Sequence, residues 1–244
     1  MKKFIYTTAF ILFFFSCSTK KNKPLNKGYH SVVSSYNVLF NGNESIDQGL
    51  LETQSSFKEN FWKILPIEKI NLSNDIITVD GIENANFLKG EEKAAKTIQK
   101  HSMQIEGRQQ NPKIADAYLL LGKARYLDQR FVPALDAFNQ VYKQKLINEQ
   151  WQLSVIWKAK SNIRLEQENL AIELLEGLLK QENLSKANKA YASATLAMAY
   201  LQLKKINKAI KPLKTAAELE QNKNNKVRYL DILGQLLEKE SKID

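Results

Sequence analysis

Apolar residues recur every three or four positions over long stretches of the chain, the spacing that places them on one side of an α-helix. Glycine and proline, the residues that most disfavour helix interiors, number only nine and five among 244 residues. Only residues 67–82, with Ile76, Ile77 and Val79, are ambiguous between a loop and a short strand. The sequence therefore predicts an all-α fold.

Residues 29–107 are predicted to form an N-terminal helical region with a loop near 67–82, where apolar residues are too few to define an element. Asn41-Gly42 is a turn signal, and Asn43 is a plausible N-cap. The helix that follows would carry Ile46, Leu50, Phe57 and Phe61 on one side and end before Pro66. A second helix would begin near Glu83 or Glu91 and run to about Glu106.

From residue 113 the helices recur in pairs, and we expect a helical-hairpin solenoid over residues 108–244. With Ala115 as position 1, the residues that match a tetratricopeptide repeat (TPR) are Tyr118 at 4, Leu121 at 7, Gly122 at 8, Phe131 at 17, Ala134 at 20 and Phe138 at 24. Small residues at 8 and 20 let the two helices of a hairpin approach closely. A generic array of helical hairpins is the alternative interpretation.

Two further units follow, one weak and one clear, with Ala171 and Ala209 at the position that Ala134 occupies in the first. The spacings of 37 and 38 exceed the usual 34, so we place the extra residues in the turns between hairpins. The weak copy has Lys158 where position 7 favours an apolar residue. Pro212 falls inside a second helix and should bend it unless the helix boundaries shift.

The units are predicted at about 113–145, 148–182 and 186–222, with an incomplete unit at 225–244. The last unit starts well, with Val227, Leu230, Leu233, Gly234 and Leu237 in the first-helix positions. No second helix follows it. The lone helix is either a capping helix with a polar outer face, which repeat arrays need at their ends, or part of a longer array.

The first residues form a separate pattern, with two lysines, an apolar run from Phe4 to Phe15, and the sequence Ser16-Cys17. This order is typical of a secretory signal peptide, and the run is too short to span a bilayer as a helix. A cysteine directly after a small residue resembles a bacterial lipoprotein signal. We predict a signal peptide at 1–16, and lipidation of Cys17 followed by a basic linker at 17–28. The alternative is a free thiol at the end of an uncleaved anchor.

The formal net charge is +10, and loss of Lys2 and Lys3 with the signal peptide would leave +8, from 34 basic and 26 acidic residues. The basic residues are dispersed among acidic ones, which indicates a solvated surface and does not favour nucleic-acid binding. The exception is the group Lys20, Lys21, Lys23 and Lys27. These lysines would lie near lipid headgroups and add weak attraction to them.

No catalytic, cofactor-binding or metal-binding motif is present in the sequence. His30 and His101 are the only histidines, they lie far apart in the chain, and the single cysteine offers them no zinc pattern. Phosphate-binding loops and nucleophile elbows are also missing. The sequence therefore predicts a protein that is not an enzyme and that needs no cofactor.

Partner-binding residues must come from the repeat geometry, in which first helices line an inner face. In the best copy positions 2, 5, 9 and 12 are Asp116, Leu119, Lys123 and Tyr126. An aliphatic, an aromatic and two opposite charges suit a peptide or a partner helix. The alternative is a partly buried groove wall that binds no ligand.

Segments at 16–49, 59–69, 92–103 and 114–139 resemble the N-terminal part of the SprE/PorW lipoproteins, most specifically through NFWKILP and IQKHSM. The residues of a family motif of unknown role are Tyr36, Asn37, Phe40, Asn41 and Gly42. Members are longer tetratricopeptide lipoproteins that support gliding motility and type IX protein secretion. The resemblance implies a periplasm-facing outer-membrane lipoprotein that binds other proteins of that machinery, with no small-molecule substrate.

The leading hypothesis is therefore a membrane-anchored scaffold or adaptor that acts through protein–protein interactions. A second hypothesis is a lipoprotein that binds glycans for nutrient uptake at the outer membrane. That role predicts an aromatic platform, whereas Trp62, Trp151 and Trp157 are scattered through predicted helices, where we expect them to be buried. An enzyme is the third and least favoured hypothesis, since no set of catalytic residues is recognisable.

Overall fold

The computed structural model describes residues 18–72, 81–144 and 148–241. In these ranges the chain forms ten α-helices, one π-helical segment and a two-stranded β-hairpin, so the prediction of an all-α fold is confirmed. The predicted signal peptide and Cys17 lie outside the described residues. Among the described residues, no helix has both the length and the apolar character that crossing a membrane requires.

The chain begins with one nearly continuous helical rod. Helix α1 (Pro24–Ser34) leads into the π-helical segment Ser35–Gly42 and then into α2 (Asn43–Ser56). Pro24 occupies the first helical turn, where its missing N–H is not needed. The basic linker predicted to reach residue 28 therefore ends earlier, at Lys23.

The turn predicted at Asn41-Gly42 is wrong, because Gly42 and Asn43 both have right-handed helical dihedrals. Helix α3 (Ala85–His101) packs against this part of the rod, with Gly90 opposite Ile46. A Cβ on Gly90 would lie 2.9 Å from Ile46 Cδ1. The close packing of α3 on a continuous rod thus prevails over the local turn propensity.

Helix α2 ends at Ser56, earlier than predicted, and residues 57–72 have no regular secondary structure. Ser55 and Ser56 donate their hydroxyl groups to carbonyls three residues back, a bond that competes with helix continuation. Phe57 and Phe61 consequently do not extend the apolar side of α2. Residues 57–72, which we call the crossing segment, contact distant helices described below.

Helix α3 also ends earlier than predicted, at His101, and a β-hairpin follows it. Strand β1 (Gln104–Ile105) pairs antiparallel with β2 (Arg108–Gln109). Glu106 and Gly107 both have positive φ, at 51° and 72°, as a type I′ hairpin turn requires.

The remaining seven helices form three hairpins and a final single helix. The hairpins are α4 (Lys113–Leu127) with α5 (Phe131–Tyr142), α6 (Glu149–Arg164) with α7 (Glu168–Leu179), and α8 (Lys186–Gln202) with α9 (Ile206–Leu219). Helix α10 (Lys223–Glu240) packs on α9. Each helix contacts the next one, and α6 also contacts both α4 and α8. This arrangement is compatible with a helical-repeat solenoid.

Close approach within the hairpins depends on small residues. A Cβ on Gly122 would lie 2.3 Å from Phe138 Cε1, so only glycine fits there without movement. Ala134, Ala171 and Ala209 are each completely buried. The expectation that these alanines lie at helix contacts therefore agrees with their burial.

The three hairpins turn in the same way. Each turn contains one non-glycine residue with left-handed dihedrals, namely Gln129 (φ 63°), Glu166 (φ 58°) and Lys204 (φ 57°). The next residue donates its backbone N–H to the carbonyl five residues back, over 2.9, 2.8 and 2.9 Å. Because the turns within the three hairpins have the same geometry, they do not hold the extra residues of the repeat, which agrees with placing those residues between the hairpins.

Lys158 and Pro212 are both accommodated. The Lys158 ammonium lies 3.7 Å from the centre of the Tyr142 ring, so the position that favours an apolar residue holds a cation–π contact. Pro212 lies inside α9, which continues from Ile206 to Leu219.

Candidate functional site

The crossing segment lies across the hairpin array, and it contacts the last helix first and the first hairpin last. Its early residues contact α10, where Leu65 N–H donates to Gln235 Oε1 over 2.8 Å. Glu68 reaches α4 and α6, and the Asn71 carbonyl accepts from Gln129 Nε2 in the first hairpin turn over 2.8 Å. The segment thus runs opposite to the order of the helices and connects both ends of the array.

Apolar side chains of the crossing segment enter all three hydrophobic clusters of the protein. Leu65, only 3% exposed, packs in the cluster formed by α8, α9 and α10. Ile67 packs against that cluster and the middle one, and Ile70 packs against the first. The segment is therefore part of the core and not a loose connection.

A charged cluster fixes the middle of the segment, and we call it the Glu68 cluster: Glu68, Lys160, Arg164, Tyr126 and Tyr191. Glu68 forms ion pairs with Lys160 and, over 2.8 Å, with Arg164. The Tyr126 hydroxyl donates to Glu68 Oε2 over 2.6 Å and accepts from Arg164 Nε over 2.9 Å. Lys160 also donates to the Tyr191 hydroxyl over 2.6 Å. One carboxylate from the segment thus compensates two buried cations from α6.

Burial and the neighbouring charges shift the pKa values of the residues in the Glu68 cluster. Burial alone would raise the pKa of Glu68, but Lys160 and Arg164 outweigh it and hold the pKa at about 2. Burial lowers the pKa of Lys160 to about 8, although Glu68 opposes that change. Burial and the Glu68 carboxylate raise the pKa of Tyr126 well above its ordinary value. At neutral pH the ion pairs are formed and both tyrosines are neutral.

Aromatic rings surround the Lys160 ammonium. It lies 3.7 Å from the Trp157 ring centre and 4.9 Å from the ring centres of Tyr126 and Tyr191. The faces of these rings attract the ammonium through cation–π interactions and accept no proton from it. The cluster is therefore a tightly packed structural contact, and its only acidic member is Glu68.

A second ionic contact fixes the start of the segment. The carboxylate of Glu59 pairs with Arg228 of α10 over 2.8 Å and with Lys69 over 2.9 Å. Arg228 also donates to the Pro66 carbonyl over 2.8 Å, and Gln235 donates to the Lys63 carbonyl over 3.2 Å. Side chains of α10 therefore hold the segment by its backbone as well as by charge.

Between these two contacts lies an exposed aromatic pair. Trp62 is 99% exposed and Phe61 is 71% exposed, so the expectation that Trp62 is buried in a helix is wrong. A fully exposed tryptophan beside an exposed phenylalanine is unusual on a chain segment that is held on both sides. Beneath the segment lies a cavity of about 890 Å³, whose lining includes Glu59, Phe61, Trp157 and Lys160.

The predicted partner-binding residues lie on α4 but are not open to solvent. Tyr126 is 1% exposed and belongs to the Glu68 cluster, and Leu119 is 4% exposed. Burial lowers the pKa of Lys123, whose ammonium lies 5.7 Å from the Trp157 ring centre. Asp116 is half-buried, pairs with Lys113 over 3.3 Å and accepts from Gln150 over 3.1 Å. A partner role for these four residues stays a prediction.

The motif residues Tyr36, Asn37, Phe40, Asn41 and Gly42 all lie in the π-helical segment. The Tyr36 and Phe40 rings stack at 5.9 Å and are both largely exposed, while Gly42 is buried. Asn41 supplies a backbone carbonyl that accepts from the Ser45 hydroxyl over 3.0 Å. The motif thus divides into an exposed aromatic pair and a packed glycine.

The structure brings together the two histidines that lie far apart in the sequence. His30 Nδ1 and His101 Nδ1 are 2.8 Å apart, a distance that requires one nitrogen to donate and the other to accept. Burial, His30 and Lys100 lower the pKa of His101. Within the described ranges, no group of three or more His, Cys, Asp or Glu residues could hold a metal ion.

The sequence reasoning missed Glu68, Lys160 and Arg164. A signal was present, because Lys160 occupies position 9 in the second repeat copy, as Lys123 does in the first. Glu68 had no local signal, since its partners are 92 and 96 residues away.

Comparison of the chain with protein-family models and with curated proteins finds no match.

Proposed function

We propose that the protein is a membrane-anchored TPR scaffold or adaptor that acts through protein–protein contacts in type IX secretion and gliding. Three hairpins with equal turns and small residues at their contacts support the TPR interpretation. The resemblance to SprE/PorW lipoproteins in NFWKILP and IQKHSM supports the choice of machinery. Attachment to the outer membrane, on its periplasmic face, would come from a lipid on Cys17.

The observation that carries the adaptor role is the exposed pair Phe61 and Trp62. Tryptophan and other large side chains contribute most of the binding energy at protein interfaces. Holding the pair in place before binding lowers the entropy cost of association, and Glu59 and Leu65 hold it on both sides. The crossing segment thus presents a rigid aromatic contact to a protein partner.

The test replaces Trp62 with alanine in the full chain. Because the side chain is 99% exposed, we expect the free energy of unfolding to change by less than about 0.5 kcal/mol. Co-purification of secretion-system proteins from cross-linked cells should fall, and export of secretion substrates with it.

The matched control is Val132→Ala, which truncates an exposed apolar residue, 55% accessible, on α5. It should leave both co-purification and export unchanged. Wild-type co-purification by the Trp62→Ala protein would refute the proposed contact. Intact secretion and gliding in a strain without the gene would refute the function as a whole.

Anchoring has its own test. The Cys17→Ser protein should fold and move from the membrane fraction to the soluble fraction. If it stayed in the membrane and still supported secretion, lipidation of Cys17 would not be the anchor.

A glycan-binding role would need an aromatic platform, and the tryptophans do not form one. Trp157 is buried and Trp151 stacks on Tyr142 at 5.8 Å, which leaves Trp62 as the only largely exposed tryptophan of the three. These positions favour the adaptor over the glycan receptor.

A further inference from the structure

An exposed apolar stripe runs along α1 and the π-helical segment. Its members are Leu25, Tyr29, Val32, Tyr36 and Phe40, exposed by 85, 50, 69, 65 and 62%. The spacings of three and four residues place all five side chains on one side of the rod. At the rise of a helix the stripe is roughly 20 Å long.

Contacts on the opposite side fix the direction of the stripe. His30 and Ser34 are buried, and they bond to His101 of α3 and to Asn111, which directly precedes α4. The rod therefore cannot rotate to bury the stripe without breaking these bonds. None of the described hydrophobic clusters includes a member of the stripe.

The charge distribution around the stripe is one-sided. Residues 1–43 contain six lysines and no aspartate or glutamate, and the first acidic residue of the chain is Glu44. Lys20, Lys21 and Lys23 are exposed directly before α1, and Lys27 lies within it. The rest of the chain mixes 30 basic with 26 acidic residues. The stripe thus begins in the most one-sidedly cationic part of the protein.

We propose that this stripe lies on an anionic phospholipid surface, with its apolar side chains at the level of the headgroups. Tyrosine and phenylalanine suit that level, and helices with an apolar side next to lysines bind in the plane of the interface. Each lysine close to an anionic surface adds to the attraction. Cys17, the proposed site of the lipid anchor, lies only eight residues before Leu25, so the membrane is within reach of the stripe.

A protein partner fits these observations less well. A protein surface that covered the stripe would need acidic groups opposite the three exposed lysines that precede α1, whereas an anionic bilayer supplies negative charge wherever these lysines lie. Glu44 follows the stripe at its far end, so the cationic end should lie closest to the membrane. The rod would then hold the hairpin array in a fixed orientation at the membrane. This inference rests on the membrane attachment in the proposed function, and not on its protein partner.

The experiment is hydroxyl-radical footprinting of the full chain reconstituted in phosphatidylcholine vesicles with or without phosphatidylglycerol. Oxidation of Tyr36 and Phe40 should fall several-fold on vesicles that contain phosphatidylglycerol and recover in high salt. Phe61 is exposed elsewhere on the protein and serves as the internal reference, whose oxidation should not change. Flotation of the vesicles measures attachment separately.

Two variants complete the design. Tyr36→Ser combined with Phe40→Ser should abolish the protection of Tyr29 while leaving the thermal midpoint unchanged, because both side chains are exposed. The matched control, Val132→Ser combined with Leu170→Ser, changes exposed apolar residues of the hairpins and should keep the protection.

The inference would be overturned if the protein floated with both kinds of vesicle while Tyr36 and Phe40 were oxidised equally on vesicles with and without phosphatidylglycerol. So would protection of the Cys17→Ser protein in buffer without detergent or vesicles, since a second copy of the chain would then cover the stripe. Equal flotation of the Cys17→Ser protein on vesicles of phosphatidylcholine alone would count against the lipid anchor, whereas the footprint on vesicles with phosphatidylglycerol tests the stripe.

Discussion

The two halves of the crossing segment are held on the array by the same kinds of bond but in different surroundings. Residues 65–71 place Leu65 in the core and pair Glu68 with Lys160, whose side chain is 3% exposed. Residues 59–63 pair Glu59 with Arg228, whose side chain is 10% exposed, and with Lys69, whose side chain is 40% exposed, and they leave Trp62 in solvent. The halves thus differ in the exposure of one cation, Lys69, and in their large apolar side chains, since Leu65 is buried and Trp62 is available for recognition.

The difference follows from how water screens charge. A carboxylate between buried cations is indispensable, because its removal leaves those cations without compensation in a low-dielectric environment. Where one of the two cations is partly exposed, as Lys69 is beside Glu59, water can take over part of the role of the carboxylate at a smaller cost. Four predictions test this distinction, in order of expected effect.

The largest effect is expected for Glu68→Ala, which leaves Lys160 and Arg164 buried without their carboxylate. The free energy of unfolding should fall by about 3–5 kcal/mol. Urea denaturation followed by circular dichroism measures this loss. Glu173→Ala, on the exposed side of α7, is the matched control and should have almost no effect. Equal stability of the two variants would show that the Glu68 cluster contributes nothing.

Leu65→Ala should come next, with a loss of about 2–4 kcal/mol, since it opens a cavity where α8, α9 and α10 meet. Leu72→Ala, in the same segment but 46% exposed, should cost much less. Comparable urea midpoints for the two variants would contradict the buried position of Leu65.

Acid should lower the stability that residues 65–71 of the crossing segment contribute through Glu68. Because the pKa of Glu68 is about 2 in the folded protein against an ordinary value of 4.5, its contribution to stability is complete above that ordinary value and is lost as pH falls toward 2. Urea midpoints measured from neutral pH down to about pH 3 should fall less steeply for Glu68→Gln than for the wild type. Parallel curves would mean that another group controls acid unfolding.

The smallest effect is expected for Glu59→Gln. Burial raises the pKa of Glu59, while bonds from Arg228 and Lys69 lower it to a net value below the ordinary one. The loss of stability should not exceed about 1 kcal/mol, and salt should reduce the difference from the wild type. A loss as large as that of Glu68→Ala would remove the distinction between the two halves.

Local sequence patterns were sufficient to locate the hairpins. Ala134, Ala171 and Ala209 mark buried helix contacts through a fixed spacing, and Gly122 is matched with Phe138 across a single turn. Gly234 has the same repeat position as Gly122, yet a Cβ there would meet no atom within 4 Å. Glycine at this repeat position is thus needed for packing at Gly122, where α5 lies against it, and not at Gly234.

The crossing segment could not be predicted in the same way. The residues that hold it come from α4, α6 and α10, up to 174 positions away, and no periodicity relates them to residues 57–72. The continuous rod was missed for a related reason. Asn41-Gly42 favours a turn locally, but the packing of α3 against the rod favours a helix.

The three equal hairpin turns have a consequence for how the protein can change. Left-handed dihedrals disfavour a side chain by roughly 1–2 kcal/mol, so glycine at Glu166 or Lys204 would make its own hairpin more robust without touching the others. Gln129 is different, because its side chain holds the Asn71 carbonyl. Two hairpins can thus be strengthened independently in evolution or by engineering, whereas the third is tied to the crossing segment.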